Sequence, residues 1–229
     1  PMEPFRAGQN ADVTLKLTRK DGAPIRETDL LSTHMQRMHL FAIDPTLTDY
    51  HHAHPAPGTN AGEYTFSFMP KSGGGYRVWL DILPLATRRE EMPSLDLGEF
   101  VPGPLARDLT VVVTNGSWRL ALTIDDAPLR AGFPGWARLT VTDLAGVPCT
   151  RLEPIMASFA HFVGFHEDRH TVYHLHAAGL QDIADPAARG GPEVHLYLPA
   201  LKAGFLRLFT QVQIEGQVIT APFGISIER

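Results

Sequence analysis

Hydrophobic and polar residues alternate along most of this chain with a period of two. Val13, Leu15 and Leu17 are separated by polar neighbours, as are Leu139 and Val141, the pattern of strands with one wet and one buried face. Tyr64, Phe66 and Phe68 alternate in the same way, as do Val194, Leu196 and Leu198, and residues 118–123 predict a further strand. Residues 39–43 and 159–165 are apolar on both faces, which suits central, covered strands. Residues 50–54 and 172–176 predict short strands. In residues 76–82 the even positions (Tyr76, Val78, Leu80, Ile82) make a core face, leaving Arg77, Trp79 and Asp81 on the other side; Arg207, Phe209 and Gln211 repeat that outer triplet. No stretch carries a long stripe of period 3.6, so the pattern predicts almost no helix, with one helical turn near residues 183–188.

The same blocks occur twice in the same order. Pro4-Phe5-Arg6-Ala7-Gly8 matches Pro128-Leu129-Arg130-Ala131-Gly132, and residues 11–24 match 136–148, placing Gly22 on Gly146 and Pro24 on Pro148 at an offset of 124. Residues 77–82 match 207–212 after an insertion, residues 181–191, in the second copy. Self-similarity of this kind marks a duplication. Short strands with 20 glycines and 19 prolines as punctuation predict an all-β chain of two tandem antiparallel sandwiches. The first spans residues 1–98, a proline-rich linker 99–106, and the second 107–229. The strand at 118–123 precedes the repeated blocks of the second copy, whereas its equivalent in the first would precede Pro1. The first sandwich is therefore expected to lack its first strand here, with the natural protein extending upstream.

Composition narrows the function. A chain of 229 residues, 44% hydrophobic with a net charge of −5, is neither disordered nor suited to nucleic acid or an anionic membrane surface. No apolar run approaches the roughly 18 residues of a membrane span. The lone Cys149 excludes a disulfide framework and a thiolate metal cluster. No nucleophile elbow or phosphate-binding glycine loop is present, and no carboxylate recurs in both copies as a general base, so the chain is expected not to be an enzyme.

The candidate chemistry lies in the histidines. His39 is followed 13 and 15 residues later by His52 and His54, and His161 by His174 and His176 at the same spacing. In a strand, residues two apart share a face, so each H-x-H pair presents two imidazoles on one side. A third from a neighbouring strand completes a three-nitrogen site suited to copper or zinc. The other histidines (His34, His51, His166, His170, His195) break the repeat and are expected to be solvated or accessory. Met35, Met38 and Met156 lie near the first histidine of each set and are accessory candidates, since a thioether favours Cu(I). Met38 has the parity of a core residue. Asp81 and Gln211 occupy equivalent places and are candidates for orienting the imidazoles, and the outer faces carrying Trp79 and Phe209 equally suit a surface where domains or chains meet.

The Met38-His39-Leu40 … Tyr50-x-His52-x-His54-Pro55 block, followed by Gly75-Tyr76-Arg77-Val78-Trp79-x-Asp81, resembles bacterial secreted or periplasmic immunoglobulin-like modules related to the YtkA-like and CopC-like copper-binding proteins; the second copy is similar. The second copy departs at Phe159, where those modules carry methionine, and at Ala177, where they carry proline. The resemblance implies two immunoglobulin-like sandwiches, a periplasmic or secreted location after removal of a signal peptide, and copper as the bound ion, buffered or passed to a copper-handling protein. The alternative is a protein-interaction or structural module without metal, self-associating through its outer sheet faces.

Overall fold

In a computed structural model the described residues are 4–179 and 183–229. They form two compact units, Pro1–Pro104 and Leu105–Arg229. The start of the second-copy insertion, residues 181–182, lies outside the described residues.

The first unit runs β1 (Ala11–Lys16), a 3-10 turn (Glu27–Asp29), β2 (Leu30–Leu31), β3 (Met38–Ile43), β4 (Tyr50–Ala53), β5 (Ala56–Pro57), β6 (Glu63–Phe68), β7 (Tyr76–Pro84) and β8 (Ser94–Leu97). One sheet has the order β1-β6-β5, the other β2-β7-β3-β4 with β8 also paired to β7. The second unit runs β9 (Val112–Asn115), β10 (Trp118–Ile124), β11 (Gly135–Asp143), β12 (His161–His166), β13 (Val172–His176), β14 (Glu193–Leu198), β15 (Gly204–Ile214) and β16 (Gln217–Ile227). Its sheets are β14-β11-β10-β9 and β13-β12-β15-β16. Between β11 and β12, and again between β14 and β15, the chain crosses from one sheet to the other; β1 to β3 and β6 to β7 do the same in the first unit. These are tandem immunoglobulin-like antiparallel sandwiches related by internal duplication.

Alternation places the core. Val13, Leu15 and Leu17 face Met38, Leu40, Ala42, Val78 and Leu80 across the first sandwich. In the second, Ala137, Leu139 and Val141 take the places of the β1 residues and pack with Phe162, Leu206 and Leu208. β10 adds Leu120 and Leu122, which the first core lacks; burial of each stabilises by about 1.5–3 kcal/mol. The predicted turns at Gly22 and Gly146 form with φ of 84° and 85°, a left-handed conformation glycine adopts without steric cost.

The turn expected near residues 183–188 forms, but not as helix. Ala188 N–H donates to the Asp185 carbonyl at 3.1 Å, closing a single turn that no further helical hydrogen bond continues among the described residues. The helical turn falls instead at Glu27–Asp29, where Asp29 Oδ2 accepts from Arg26 N at 3.0 Å.

Non-glycine residues build the reversal before each central strand. Thr33 and Gln36 exchange both backbone hydrogen bonds (2.7 and 2.9 Å), as do Ile155 and Ser158 (2.7 and 3.1 Å). Between them His34 and Met35 have φ of 50° and 69°, Met156 and Ala157 51° and 60°. Positive φ at both central residues is the primed turn of a two-residue hairpin, here without the Asn-Gly signal that would announce it.

In the first unit a buried polar knot ties the loops between strands to the core. Asp49 Oδ2 accepts from the Lys71 and Ser72 amides at 2.6 and 3.1 Å and from the Tyr76 hydroxyl, and His51 Nε2 lies 2.9 Å from Oδ1. Tyr76 opens β7, with its hydroxyl 3.1 Å from the carbonyl of Ser72 four residues upstream, the arrangement called a tyrosine corner in these sandwiches. His51 packs on Phe68 and Tyr76 rather than facing solvent, contrary to its sequence assignment. His166 is likewise buried, 3.1 Å from Ala203 O and 3.4 Å from Asp168, because its ring closes the β12–β13 loop. In the second unit Leu206 replaces Tyr76, and Tyr173 from β13 supplies a hydroxyl that accepts from Leu201 N at 3.2 Å.

Among the described residues, no helix is long and apolar enough to cross a membrane.

Burial alone would raise the Asp49 pKa, but hydrogen bonds from His51, Tyr76 and Lys71 outweigh it and hold the group at about 2, against 3.8. A carboxyl held low in the folded state stabilises at pH above its unfolded value, and that stabilisation is lost as pH falls towards the folded value. The first unit is therefore expected to lose stability between pH 4 and 2 in an acid-unfolding series, and Asp49→Asn to flatten that slope. Met35 is exposed, so Met35→Gly is expected to relieve its positive φ without loss of packing, raising stability by about 0.5–1 kcal/mol in a denaturant titration.

Candidate metal centre

Strand pairing brings the histidines together. In the first unit β3 lies between β4 and β7, with Leu40 opposite Ala53, Phe41 opposite His52 and His39 opposite Asp81. In the second β12 lies between β13 and β15, with His161 opposite both His176 and Gln211 and Val163 opposite His174. Position 39 maps to 161 and 81 to 211, so the repeat read from sequence is also a repeat of register. Met38, Leu40 and Ala42 face the first core; His39 therefore lies on the opposite, outer face of the sheet, the face shared by Trp79 and Asp81. Ala160 and Phe162 face the second core, and His161 has the same outward parity.

In the first unit the ligand-capable atoms of His39, His52 and His54 all lie within 4.8 Å of one another. His39 Nδ1 is 3.3 Å from His52 Nε2 and 3.2 Å from His54 Nε2. His39 is buried, His52 half-buried and His54 exposed, so the cluster reaches from the sheet to the surface. The other ring nitrogen, His39 Nε2, lies 3.2 Å from the carbonyl of Thr33. A carbonyl only accepts, so Nε2 carries the proton and Nδ1 turns its lone pair to the other two rings. Metal-bound histidines are oriented by such a contact. The primed turn at residues 33–36 sets the position of that carbonyl.

The spacing fits an ion. With metal–nitrogen bonds of about 2.0–2.1 Å, tetrahedral geometry separates neighbouring nitrogens by roughly 3.3 Å, against the 3.2 and 3.3 Å found here. One imidazole nitrogen has a single lone pair or a single proton, so two ring nitrogens converging on Nδ1 match a shared ion better than two ring-to-ring hydrogen bonds.

The second unit assembles the same three rings differently. His174 Nε2 is the hub, 2.7 Å from His161 Nε2 and 3.1 Å from His176 Nε2. The rings pack with centroids 4.7 to 5.1 Å apart. The 2.7 Å approach is hydrogen-bond length, and an ion there requires the pair to open by about 0.6 Å to reach the tetrahedral spacing.

The accessory candidates separate. Met38 sits in the core cluster, its side chain on the opposite sheet face from His39. Met35 lies exposed in the turn; Met156 sits in the matching turn of the second copy, one position earlier in the repeat. Asp81 is buried and is the cross-strand neighbour of His39, as Gln211 is of His161. Arg77 grips Asp96 on β8 with two contacts of 2.6 and 2.7 Å, with its guanidinium over Phe100. In the second unit Gly224 stands opposite Arg207, whose guanidinium turns to the carbonyls of Ala106 and Asp108 at 3.5 Å. Sequence reasoning missed the Thr33 carbonyl and the polar knot around Asp49; the first has no side-chain signal, and the second needs two loops brought together.

No curated protein matches the chain. Solved structures with similarity include the Escherichia coli adhesin FdeC, 15% identical, over 100% of this chain and 61% of that one, with a TM-score of 0.28. Domains 4 and 5 of the S-layer protein SbsC match at 8% identity over 84% and 77% of the two chains, TM-score 0.29, and the D0-D1 domain of intimin at 8% over 95% and 90%, TM-score 0.25. The chain thus spans about three fifths of the adhesin chain it matches. A family described as Domain of unknown function (DUF8832) matches residues 2–89 and 113–229, one stretch in each sandwich, and the chain belongs to that family.

Proposed function

We propose that the chain is a non-enzymatic pair of immunoglobulin-like modules that buffers or delivers a transition-metal ion outside the cytoplasm, in the periplasm or after secretion. Copper is the ion first in view, with zinc as the alternative. His39, His52 and His54 hold it in the first unit, and His161, His174 and His176 in the second. One observation carries this reading: two ring nitrogens stand 3.2 and 3.3 Å from His39 Nδ1 while the far side of that ring is held by Thr33. Three neutral nitrogens leave the ion's charge uncompensated and a coordination position open. That suits exchange with a copper-handling partner better than permanent burial.

The second reading keeps the modules and omits the ion. It takes the 2.7 Å contact between His161 and His174 as an ordinary hydrogen bond and assigns the chain an interaction or structural role, including self-association through outer sheet faces. Adhesin and S-layer protein are the descriptions of two structural neighbours.

Equilibrium dialysis against Cu(II) and Zn(II) separates the readings. Metal binding is expected in the unaltered chain, and the double substitution His52→Ala, His54→Ala is expected to abolish the first-unit site with the fold intact by circular dichroism. Free ion at 100 times its dissociation constant is expected to stabilise the bound unit by about 2.7 kcal/mol. Binding requires neutral imidazoles, so affinity is expected to fall as pH drops below about 6.5. Unchanged stoichiometry in the double variant, or no stabilisation by either ion, favours the metal-free module.

A further inference from the structure

The turn before each central strand holds a side chain that the three-histidine sites do not use. His34 stands five residues before His39, and Met156 five residues before His161. Each is the first central residue of its primed turn, between the paired backbone hydrogen bonds of Thr33 with Gln36 or of Ile155 with Ser158. Their φ angles are 50° and 51°, so the two backbones match. Glycine adopts this left-handed conformation without steric cost, yet both copies place there a side chain with a metal-binding atom. It is an imidazole in one and a thioether in the other. The next residue of the turn shows no such agreement, since Met35 is exposed and its counterpart Ala157 is buried.

The turn is also tied to the cluster. In the first unit the carbonyl of Thr33, the residue before His34, holds His39 Nε2. The ring centroid of His34 lies 6.1 Å from that of His39, against 5.6 Å for His52 and 4.9 Å for His54. A fourth imidazole thus stands beside the hub at nearly the distance of the other two. His34 and Met156 are both half-buried, at the same point of the repeat.

We propose that this turn residue is a hinged fourth ligand, and that it gives the two sites different metal preferences. The proposal rests on the metal reading and sharpens it. In the first unit His34 turns about its side-chain bonds to complete a set of four imidazole nitrogens, which suits Zn(II) or Cu(II). In the second Met156 adds a sulfur to three nitrogens, and a soft thioether favours Cu(I). A ligand carried on a turn leaves the ion without disturbing the strands, so the fourth position stays available to an exchange partner.

The test reads each site separately in the full chain, the first in a His174→Ala, His176→Ala background and the second in His52→Ala, His54→Ala. Zn(II) and Cu(I) affinities are measured by competition with chromophoric chelators, Cu(I) without oxygen. Glycine keeps the turn, so His34→Gly is expected to weaken Zn(II) at the first site by about tenfold or more. Met156→Gly is expected to weaken Cu(I) at the second site by a similar factor. X-ray absorption of the Cu(I)-loaded second site is expected to show one sulfur scatterer that Met156→Gly removes, and His34→Met to add a sulfur at the first site. Unchanged affinity in either glycine variant, or a second-site shell without sulfur, overturns the fourth ligand while the three-histidine sites stand. No binding of either ion by the unaltered chain overturns both.

Discussion

Antiparallel register is the constraint on which this molecule's chemistry depends. A strand exposes its side chains on alternate faces, and a slip of one residue sends every side chain to the wrong one. Met38, Leu40 and Ala42 anchor the register of β3 by entering the core, which forces His39 outward. The pairing of β3 with β4 then carries His52 and His54 to the same face. In the second unit Ala160 and Phe162 do the anchoring, and His161 falls opposite His176. Hydrophobic burial thus fixes the positions of groups that contribute nothing to the core themselves.

The duplication shows which parts of this arrangement tolerate change. Core positions exchange size freely, as with Val13 for Ala137 or Leu17 for Val141, and the fold persists. The tyrosine that braces the loop before β7 is replaced by one from a different strand, Tyr173, reaching the equivalent loop before β15. The primed turn before the central strand survives with different residues in it. Around the histidines the copies diverge in detail: the hub is His39 in one and His174 in the other. In the first cluster two ring nitrogens stand 3.3 and 3.2 Å from His39 Nδ1, while in the second His161 and His174 approach to 2.7 Å.

Much of this was legible in the sequence because its signals are local. Period-two alternation gave the strands, Gly22 and Gly146 the turns, and ordered repeat blocks the tandem sandwiches. The H-x12-H-x-H spacing gave the three imidazoles because only parity and one strand pairing stand between that spacing and convergence. Features set by backbone conformation or by distant loops stayed hidden. The Thr33 carbonyl orients His39 through a turn whose residues, His34 and Met35, carry no glycine or asparagine signal. His51 belongs to a buried knot because Asp49, Lys71, Ser72 and Tyr76 meet there, which no spacing encodes. His166 was hidden for the same reason, since its ring closes a loop against Ala203 and Asp168.

The central claim is that three imidazoles in each half share one ion. X-ray absorption at the copper and zinc edges, on the full chain loaded with each metal in turn, tests it most directly. The account predicts a first shell containing three imidazole nitrogens at about 2.0–2.1 Å, with the multiple-scattering pattern of histidine rings. A shell of oxygen alone, or a single imidazole per ion, would contradict it and leave a duplicated sandwich without a shared ion.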